Sequence, residues 1–249
     1  MQKHHNIRQN LHVFINGTEI PNQDILAWET ARAIQVAKKL GIKYENQTLD
    51  ELHQQLLKRK QELGHDGLKK LLATEIKLSD VMGKVTGKLS LGRRRFCVIE
   101  ILSEQGSAEQ FVEWFQNCGK INDEPSMLAG TPDHYIISTV DGRQEVVETN
   151  GGSPFAARFL INYEDLSSLR SKADPNYDLQ LAGVAVLDNG LSLGGVRHQF
   201  RNEGTGFRAK LLVEFPLMIL PSILSGHQWH LASEFSNWII ASIQQHLKN

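Results

Sequence analysis

The chain has 249 residues, of which 41% are hydrophobic, and its formal net charge is −1. This size suits one large domain with a sizeable core, and the balanced charge gives no general reason to expect nucleic acid or a membrane as a partner. No segment approaches the ~18 consecutive apolar residues that span a bilayer, and the polar N-terminus lacks the apolar core of a signal peptide. Cys97 and Cys118 have no metal-ligand spacing and indicate reduced thiols in a cytoplasmic protein.

The first third of the chain has a mainly helical pattern. A short apolar patch and an Asn16-Gly17 turn signal predict a strand and turn or an extended arm at the start. Apolar residues at helical spacing predict a helix over 24–40, a capping box at Thr48 starts a second helix, and a third is predicted over 68–78. We therefore predict an N-terminal helical extension over residues 1–80. Its apolar stripes exceed what one short layer buries, which favours a packing layer or a homodimer contact.

From residue 81 the pattern changes to strands separated by turn signals such as Asp141-Gly142. One helix, capped by Ser107, interrupts them, and a long apolar helix ends the chain. The predicted strands cover 85–90, 96–102, 135–140, 144–149, 158–163, 179–187, 191–201 and 207–215.

This order predicts an α+β fold in which the final helix covers the apolar face of an antiparallel sheet. A curved antiparallel sheet wrapped round a C-terminal helix is the helix-grip architecture of START and Bet v1-like domains. In that architecture the space between sheet and helix is a ligand pocket. We assign residues 81–249 to such a domain and expect a small-molecule ligand.

The final helix carries the pattern most suggestive of chemistry. His230 and Glu234 are four residues apart, so they lie one turn apart on one helix face, and His227 and Asn237 lie near that face. An imidazole and a carboxylate on adjacent turns supply half of a site for zinc or a similar ion. The alternative is a surface pair or a hydrogen-bonded core histidine. Trp229 and other apolar neighbours favour a buried helix, in which a glutamate needs a partner.

Three strand residues are further candidates. Period-two alternation places His198 on the inward face of its strand, where it is either a core histidine or a functional group. His134 and Glu148 flank the Asp141-Gly142 turn, and the register decides whether they meet. Asp-Gly favours a two-residue loop, which puts Glu145 on the face of His134, whereas a three-residue loop or a bulge brings Glu148 there.

Taken together, these segments resemble the diacetylphloroglucinol hydrolase family, whose Bet v1-like domain holds zinc through a His, a Glu and a C-terminal H-x-x-x-E. The resemblance covers roughly residues 130–240. It is carried by the H-x-x-x-E pair and by His198-Gln199-Phe200-Arg201 with the acidic, glycine-containing turn after it. It implies that His134, Glu148, His230 and Glu234 bind zinc. Substrate contacts would come from Arg201, Asn237 and a tyrosine, either Tyr135 or Tyr163.

Three functional hypotheses follow. The first is a zinc-dependent hydrolase that attacks a carbonyl and cleaves a carbon–carbon bond of an acyl-phenolic or polyketide-like substrate, with His198 as a general acid of near-neutral pKa. The second is a metal-free START-like binding protein, cyclase or dehydratase that uses His198 and Glu234 as polar or acid–base groups. The third is a structural or regulatory protein with a filled interior.

Overall fold

A computed structural model describes residues 7–248, which form an α+β fold with one large antiparallel sheet. The strands are β1 (Leu11–Ile15), β2 (Thr18–Ile20), β3 (Arg94–Ser103), β4 (His134–Val140), β5 (Arg143–Thr149), β6 (Ala156–Asn162), β7 (Leu179–Val186), β8 (Ser192–Glu203) and β9 (Gly206–Pro216). The helices are α1 (Asn22–Lys39), α2 (Leu49–Leu71), α3 (Ala73–Leu89), α4 (Ala108–Ile121), α5 (Glu124–Leu128) and α6 (Pro221–His246).

The nine strands are ordered β2-β1-β3-β9-β8-β7-β6-β5-β4, and all neighbours are antiparallel. Alternating side chains and two-residue turns explain why six strands from β4 to β9 lie within a few residues of their predicted positions. The Asn16-Gly17 turn joins β1 to β2, as the turn signal predicted. No helix among residues 7–248 is long and apolar enough to cross a bilayer.

Two hydrophobic cores lie on opposite sides of the sheet. The larger core joins α4 and α6 to one face, with Phe111, Phe200 and Phe235 fully buried. The smaller core joins α1 and α2 to the other face near β4 and β5. Neighbouring residues of β5 divide between them, since Val146 belongs to the larger core and Val147 to the smaller one. The end of the sheet that carries β4 and β5 is therefore covered on both faces.

The helical layer differs from the prediction in two places. The capping box at Thr48 is present, but α2 continues through a kink at Gly64, whose φ is +59°. The predicted strand over 85–90 is wrong, because α3 continues to Leu89. Helix packing overrides the local pattern there: Gly83 and Gly87 let α3 approach the leucines of the β7–β8 hairpin. α3 therefore runs through residue 80, where the sequence placed the end of the helical extension.

Candidate metal centre

Four side chains from three separate elements meet beneath α6. His230 and Glu234 come from adjacent turns of that helix, His134 begins β4, and Glu148 lies near the end of β5. All four are buried, and both imidazoles have no exposed surface. The ligand atoms of His134, Glu148 and His230 lie within 4.8 Å of one another. The residues that the sequence proposed as metal ligands are thus brought together.

A β-bulge decides that Glu148, and not Glu145, faces His134. The Asp141-Gly142 turn is a two-residue loop, so regular alternation would place His134 on the α1–α2 side of the sheet. The register shifts between His134 and Ile136, so that His134 pairs with Glu148. An extra residue in a strand reverses which face the preceding residues occupy. Glu145 instead accepts hydrogen bonds from Lys69 and Arg158.

Close contacts join the two imidazoles to the two carboxylates. His134 Nε2 lies 3.4 Å from Glu148 Oε2 and 3.2 Å from Glu234 Oε1. His230 Nε2 lies 3.6 Å from Glu148 Oε2 and 3.9 Å from Glu234 Oε2. Zinc with ligands at about 2.0–2.1 Å separates neighbouring donors by roughly 3.3–3.4 Å in a tetrahedron. The three shorter separations lie within about 0.3 Å of that value. Glu234 contributes a different oxygen to each histidine and lies outside the group of three whose ligand atoms are mutually close.

The hydrogen bonding of the histidines leaves their Nε2 atoms available to an ion. His134 Nδ1 lies 3.4 Å from the Met127 carbonyl, which fixes the ring so that Nε2 points toward the carboxylates. His134 Nε2 and both ring nitrogens of His230 are buried and make no hydrogen bond among the described residues. Buried polar atoms without partners are costly, so these nitrogens fit the donor set of a metal ion. A histidine that donates from Nδ1 to a carbonyl and binds metal through Nε2 is a common arrangement.

The pKa shifts of the four clustered side chains also favour a bound cation. Burial lowers the pKa of His134, but the carboxylates of Glu148 and Glu234, at 3.4 and 3.2 Å from its Nε2, outweigh burial and raise the pKa to about 9. Burial raises the pKa of Glu148, but the neighbouring histidines lower it to about 2. Burial lowers the pKa of His230 and raises that of Glu234. Two buried carboxylates therefore compete for one imidazolium, and a divalent cation would balance both of them.

The cluster forms part of the wall of a cavity between the sheet and α6. The cavity has a volume of about 190 Å³. It is comparable to an apolar cavity of ~150 Å³ that holds benzene, so a single ring with small substituents fits. Aliphatic and aromatic side chains form most of the wall, and polar groups enter it at a few points. These polar residues include His134, Gln144, Glu148, Tyr163, His198, His227, His230 and Glu234.

Three predicted substrate contacts lie elsewhere. The bulge turns Tyr135 into the core beneath α1 and α2, where its hydroxyl lies 3.3 Å from Thr149 Oγ1. Asn237 donates to Glu29 and to the Gly130 carbonyl. Arg201 forms an ion pair with Glu203 on the outer face of the sheet. Alternation along β8 explains the last case, because Arg201 and His198 are an odd number of residues apart. These three side chains do not line the cavity, and of the two tyrosines it is Tyr163 that does.

His198 lies in the cavity wall, as predicted, but not with the predicted chemistry. Burial lowers the pKa of His198 to about 3 and that of His227 to about 4. These lowered pKa values favour neutral imidazoles at pH 7 and disfavour a general acid of near-neutral pKa at His198. A neutral imidazole can still donate one hydrogen bond and accept another. Nδ1 of each ring is buried and has no hydrogen-bond partner within residues 7–248.

A buried ionic network that no sequence motif indicated lies next to the candidate ligands. Arg32 of α1 donates from Nε and Nη2 to the two oxygens of Asp133, at 2.8 and 2.7 Å. Lys60 of α2 donates to the Pro132 carbonyl at 2.9 Å. Asp133 directly precedes His134, and its carbonyl accepts a hydrogen bond from the Thr149 amide. The helical layer thus holds the backbone that positions two of the proposed ligands.

Comparison with known proteins gives no match, either among protein-family models or among curated proteins. The interpretation of this site therefore depends on its geometry and chemistry.

Proposed function

We propose that this protein is a zinc-dependent hydrolase of a small, largely apolar substrate. The observation that carries the proposal is the convergence of two imidazole Nε2 atoms and two carboxylates in the wall of a cavity. Two nitrogen and two oxygen donors suit zinc better than magnesium or calcium, which prefer oxygen ligands. His134, Glu148, His230 and Glu234 would hold the ion.

Zinc in this site would supply a Lewis acid that polarises a substrate carbonyl and makes a water molecule more acidic. The side chains of the cavity would exclude water and orient the substrate. The apolar wall excludes bulk water from a ring-sized substrate, which strengthens every polar contact made inside the cavity. His198 and His227, both neutral, would donate hydrogen bonds to substrate oxygens. Tyr163 would present its ring to the substrate, since its hydroxyl donates to Gln144 at 3.1 Å.

The finer assignment follows the family resemblance in the sequence. We propose a helix-grip fold of the Bet v1 type and carbon–carbon bond cleavage of an acyl-phenolic or polyketide-like compound. The proximity of all four residues that the resemblance implied as ligands supports this assignment. A cavity of about 190 Å³ is compatible with a single substituted ring. The departure of the substrate carbanion requires a proton, and the low pKa of His198 makes water a better source than that imidazole.

A metal-free binding protein, cyclase or dehydratase is the second candidate. The raised pKa of Glu234 favours it, because a protonated carboxyl in an apolar cavity can act as an acid or as a hydrogen-bond donor. Thermal unfolding of the protein purified without added metal, before and after chelation, separates the two candidates. The hydrolase proposal predicts that chelation lowers Tm by roughly 5–10 °C and that zinc restores it, since a bound ion in hundredfold excess of Kd contributes ~2.7 kcal/mol.

Glu234→Gln and His246→Ala give a test variant and a control on the same helix. Glu234→Gln should abolish the zinc response, whereas His246→Ala at the exposed helix end should retain it. A Tm that neither chelator nor zinc changes in the wild-type protein would favour the metal-free candidate.

A further inference from the structure

A second pocket opens where two neighbouring strands diverge. The pairing of β6 with β7 ends at Asn162 and Val184, so the first residues of β7 extend past β6. Gln116 and Gly119, near the end of α4, lie across this gap, and the enclosed space has a volume of about 350 Å³. We name it the outer pocket. Its polar wall consists of Gln116, Thr139, Arg143, Gln144, Tyr163 and Gln180.

The outer pocket shares a wall with the cavity beside the candidate metal centre. Phe115, Gln144 and Tyr163 line both spaces. The Tyr163 hydroxyl donates to Gln144 Oε1 at 3.1 Å, and the rings of Phe115 and Tyr163 lie 6.5 Å apart. Burial and then the charge of Glu234 raise the pKa of Tyr163, so this ring lies close to the proposed ligands. A ligand in the outer pocket is therefore one layer of side chains away from the proposed reaction site.

Arg143 gives the outer pocket an uncompensated positive charge. Its side chain is half-buried, and its guanidinium makes no hydrogen bond or ion pair with any residue from 7 to 248. Of the described residues that line the pocket, none is an aspartate or a glutamate. A guanidinium stays charged at any ordinary pH, and a concave site concentrates its field. The outer pocket is therefore suited to an anion.

A second arginine adds to that charge from behind the pocket wall. Arg197 Nη1 donates to Gln180 Oε1 at 2.7 Å, and its Nε donates to Ser171 Oγ at 3.2 Å. Both acceptors are neutral, so within residues 7–248 no carboxylate pairs with Arg197. The bond occupies the side-chain oxygen of Gln180, and the amide nitrogen of Gln180 is left as a hydrogen-bond donor for a ligand. The wall thus combines positive charge with free donors.

The proposed reaction indicates which anion the pocket would receive. The planar fork of an arginine binds a carboxylate through two parallel hydrogen bonds. When water cleaves an acyl–carbon bond, its hydroxyl joins the acyl carbon. The electron pair of the broken bond remains on the leaving carbon, which takes up the proton of the water. The acyl part is then a carboxylic acid, which is ionised at pH 7.

We propose that the outer pocket is a subsite for a carboxylate, bound by Arg143 and by the side-chain amide of Gln180. The carboxylate belongs either to a substituent of the substrate or to the acid that hydrolysis releases. Leu181 and Ala182 form an apolar part of the wall and would contact the hydrocarbon part of that molecule. The source of the carboxylate rests on the proposed hydrolase function. Its binding does not, because no candidate metal ligand lines the outer pocket.

An NMR titration of the ¹⁵N-labelled full chain with 3-phenylpropanoate tests the proposal, and the neutral amide of that acid is the control ligand. The acid should shift the Nε–Hε signal of Arg143 and the side-chain amide signals of Gln180. It should bind at least about 10-fold more tightly than the amide, because hydrogen bonds between charged groups are stronger than neutral ones. Removal of metal with 1,10-phenanthroline, followed by dialysis, should leave this affinity unchanged.

Acetate distinguishes the two sources of the carboxylate. Acetate that binds as tightly as 3-phenylpropanoate would assign the carboxylate to the released acid. Tighter binding of the ring-bearing acid would assign it to a substituent of the substrate.

Two variants and one control locate the bound acid. Arg143→Gln should weaken binding of 3-phenylpropanoate by about 10-fold or more and leave binding of the amide unchanged. Gly119→Leu should abolish binding of both, because a Cβ at Gly119 meets no atom within 4 Å and a larger side chain there would fill the pocket. Arg93→Gln removes the same charge from an exposed position outside the pocket and should bind like the wild type. Circular dichroism and thermal unfolding show whether all three variants are folded.

Three results would overturn the proposal. The first is equal affinity of the wild-type protein for the acid and the amide, and the second is undiminished binding of the acid by Arg143→Gln. The third is loss of acid binding when metal is removed, since the carboxylate would then bind the ion and not Arg143. Zinc content is measured separately. A protein without zinc would contradict the proposed hydrolase function, and the same titration would still decide whether the outer pocket binds a carboxylate.

Discussion

Replacement of Arg32 by methionine tests whether the helical layer supports the proposed metal centre. The Asp133 side chain has no exposed surface, and the Arg32 side chain is 8% exposed. Two parallel hydrogen bonds join Arg32 to Asp133, and the Asp133 carboxylate makes no other hydrogen bond to a side chain among the described residues. Arg32→Met therefore leaves a buried carboxylate without its cation, which typically costs about 3–5 kcal/mol. Lys60 lies close enough to offset part of that cost, so we expect a loss near ~3 kcal/mol.

The same variant should weaken zinc binding. Asp133 precedes His134, and its carbonyl is paired with the Thr149 amide, so a shift of Asp133 moves the ligand. Loss of a residue that orients a ligand typically lowers metal affinity 10–100-fold. Urea unfolding and zinc titration measure the two effects.

Two further variants test whether the unpaired charge of Asp133 causes the loss of stability. Asp133→Asn in the Arg32→Met background should recover part of the lost stability, because it removes the unpaired charge. Arg32→Lys should be intermediate, since one ammonium cannot form both parallel bonds. A cost below about 1 kcal/mol for Arg32→Met, or no recovery in the double variant, would refute the reasoning.

Two other predictions concern residues near the centre. Burial lowers the pKa of Lys60 from 10.5 to about 7, so the unfolded chain binds more protons between these values and stability rises with pH there. Compared with Lys60→Met, the wild type should therefore gain about 3 kcal/mol in urea unfolding between pH 7 and 9.5, and a constant difference would exclude a depressed pKa. A Cβ at Gly130 would lie 2.5 Å from Trp238 Nε1, so Gly130→Ala should cost about 1–3 kcal/mol and weaken zinc binding. Gly119→Ala, with no atom within 4 Å, should be neutral or stabilising; equal effects of the two would contradict the packing argument.

The strands and α6 could be predicted because their apolar residues repeat at the period of the element. The pair His230 and Glu234 could be predicted for the same reason, since helix geometry alone places them on one face. His134 and Glu148 could not be paired with certainty. Their meeting depends on one bulge, and the turn residues Asp141-Gly142 specify the loop but not the bulge.

The differences between the sequence pattern and the structure share a physical origin in tertiary contacts. Tyr135 faces the helical layer because of that same bulge, and Asn237 is occupied by Glu29 and a loop carbonyl. The pKa of His198 depends on how completely it is buried, which alternation along a strand does not show. The helical form of residues 85–89 depends on packing against the β7–β8 hairpin.

Elemental analysis of untagged protein, purified without added metal, tests the metal centre most directly. The geometry of His134, Glu148, His230 and Glu234 predicts one zinc per chain in the wild type. It also predicts substantial loss of zinc in His230→Ala and full retention in His246→Ala. Wild-type protein that contains no zinc and takes up none in a titration would contradict the metal centre, as would His230→Ala protein that keeps its zinc.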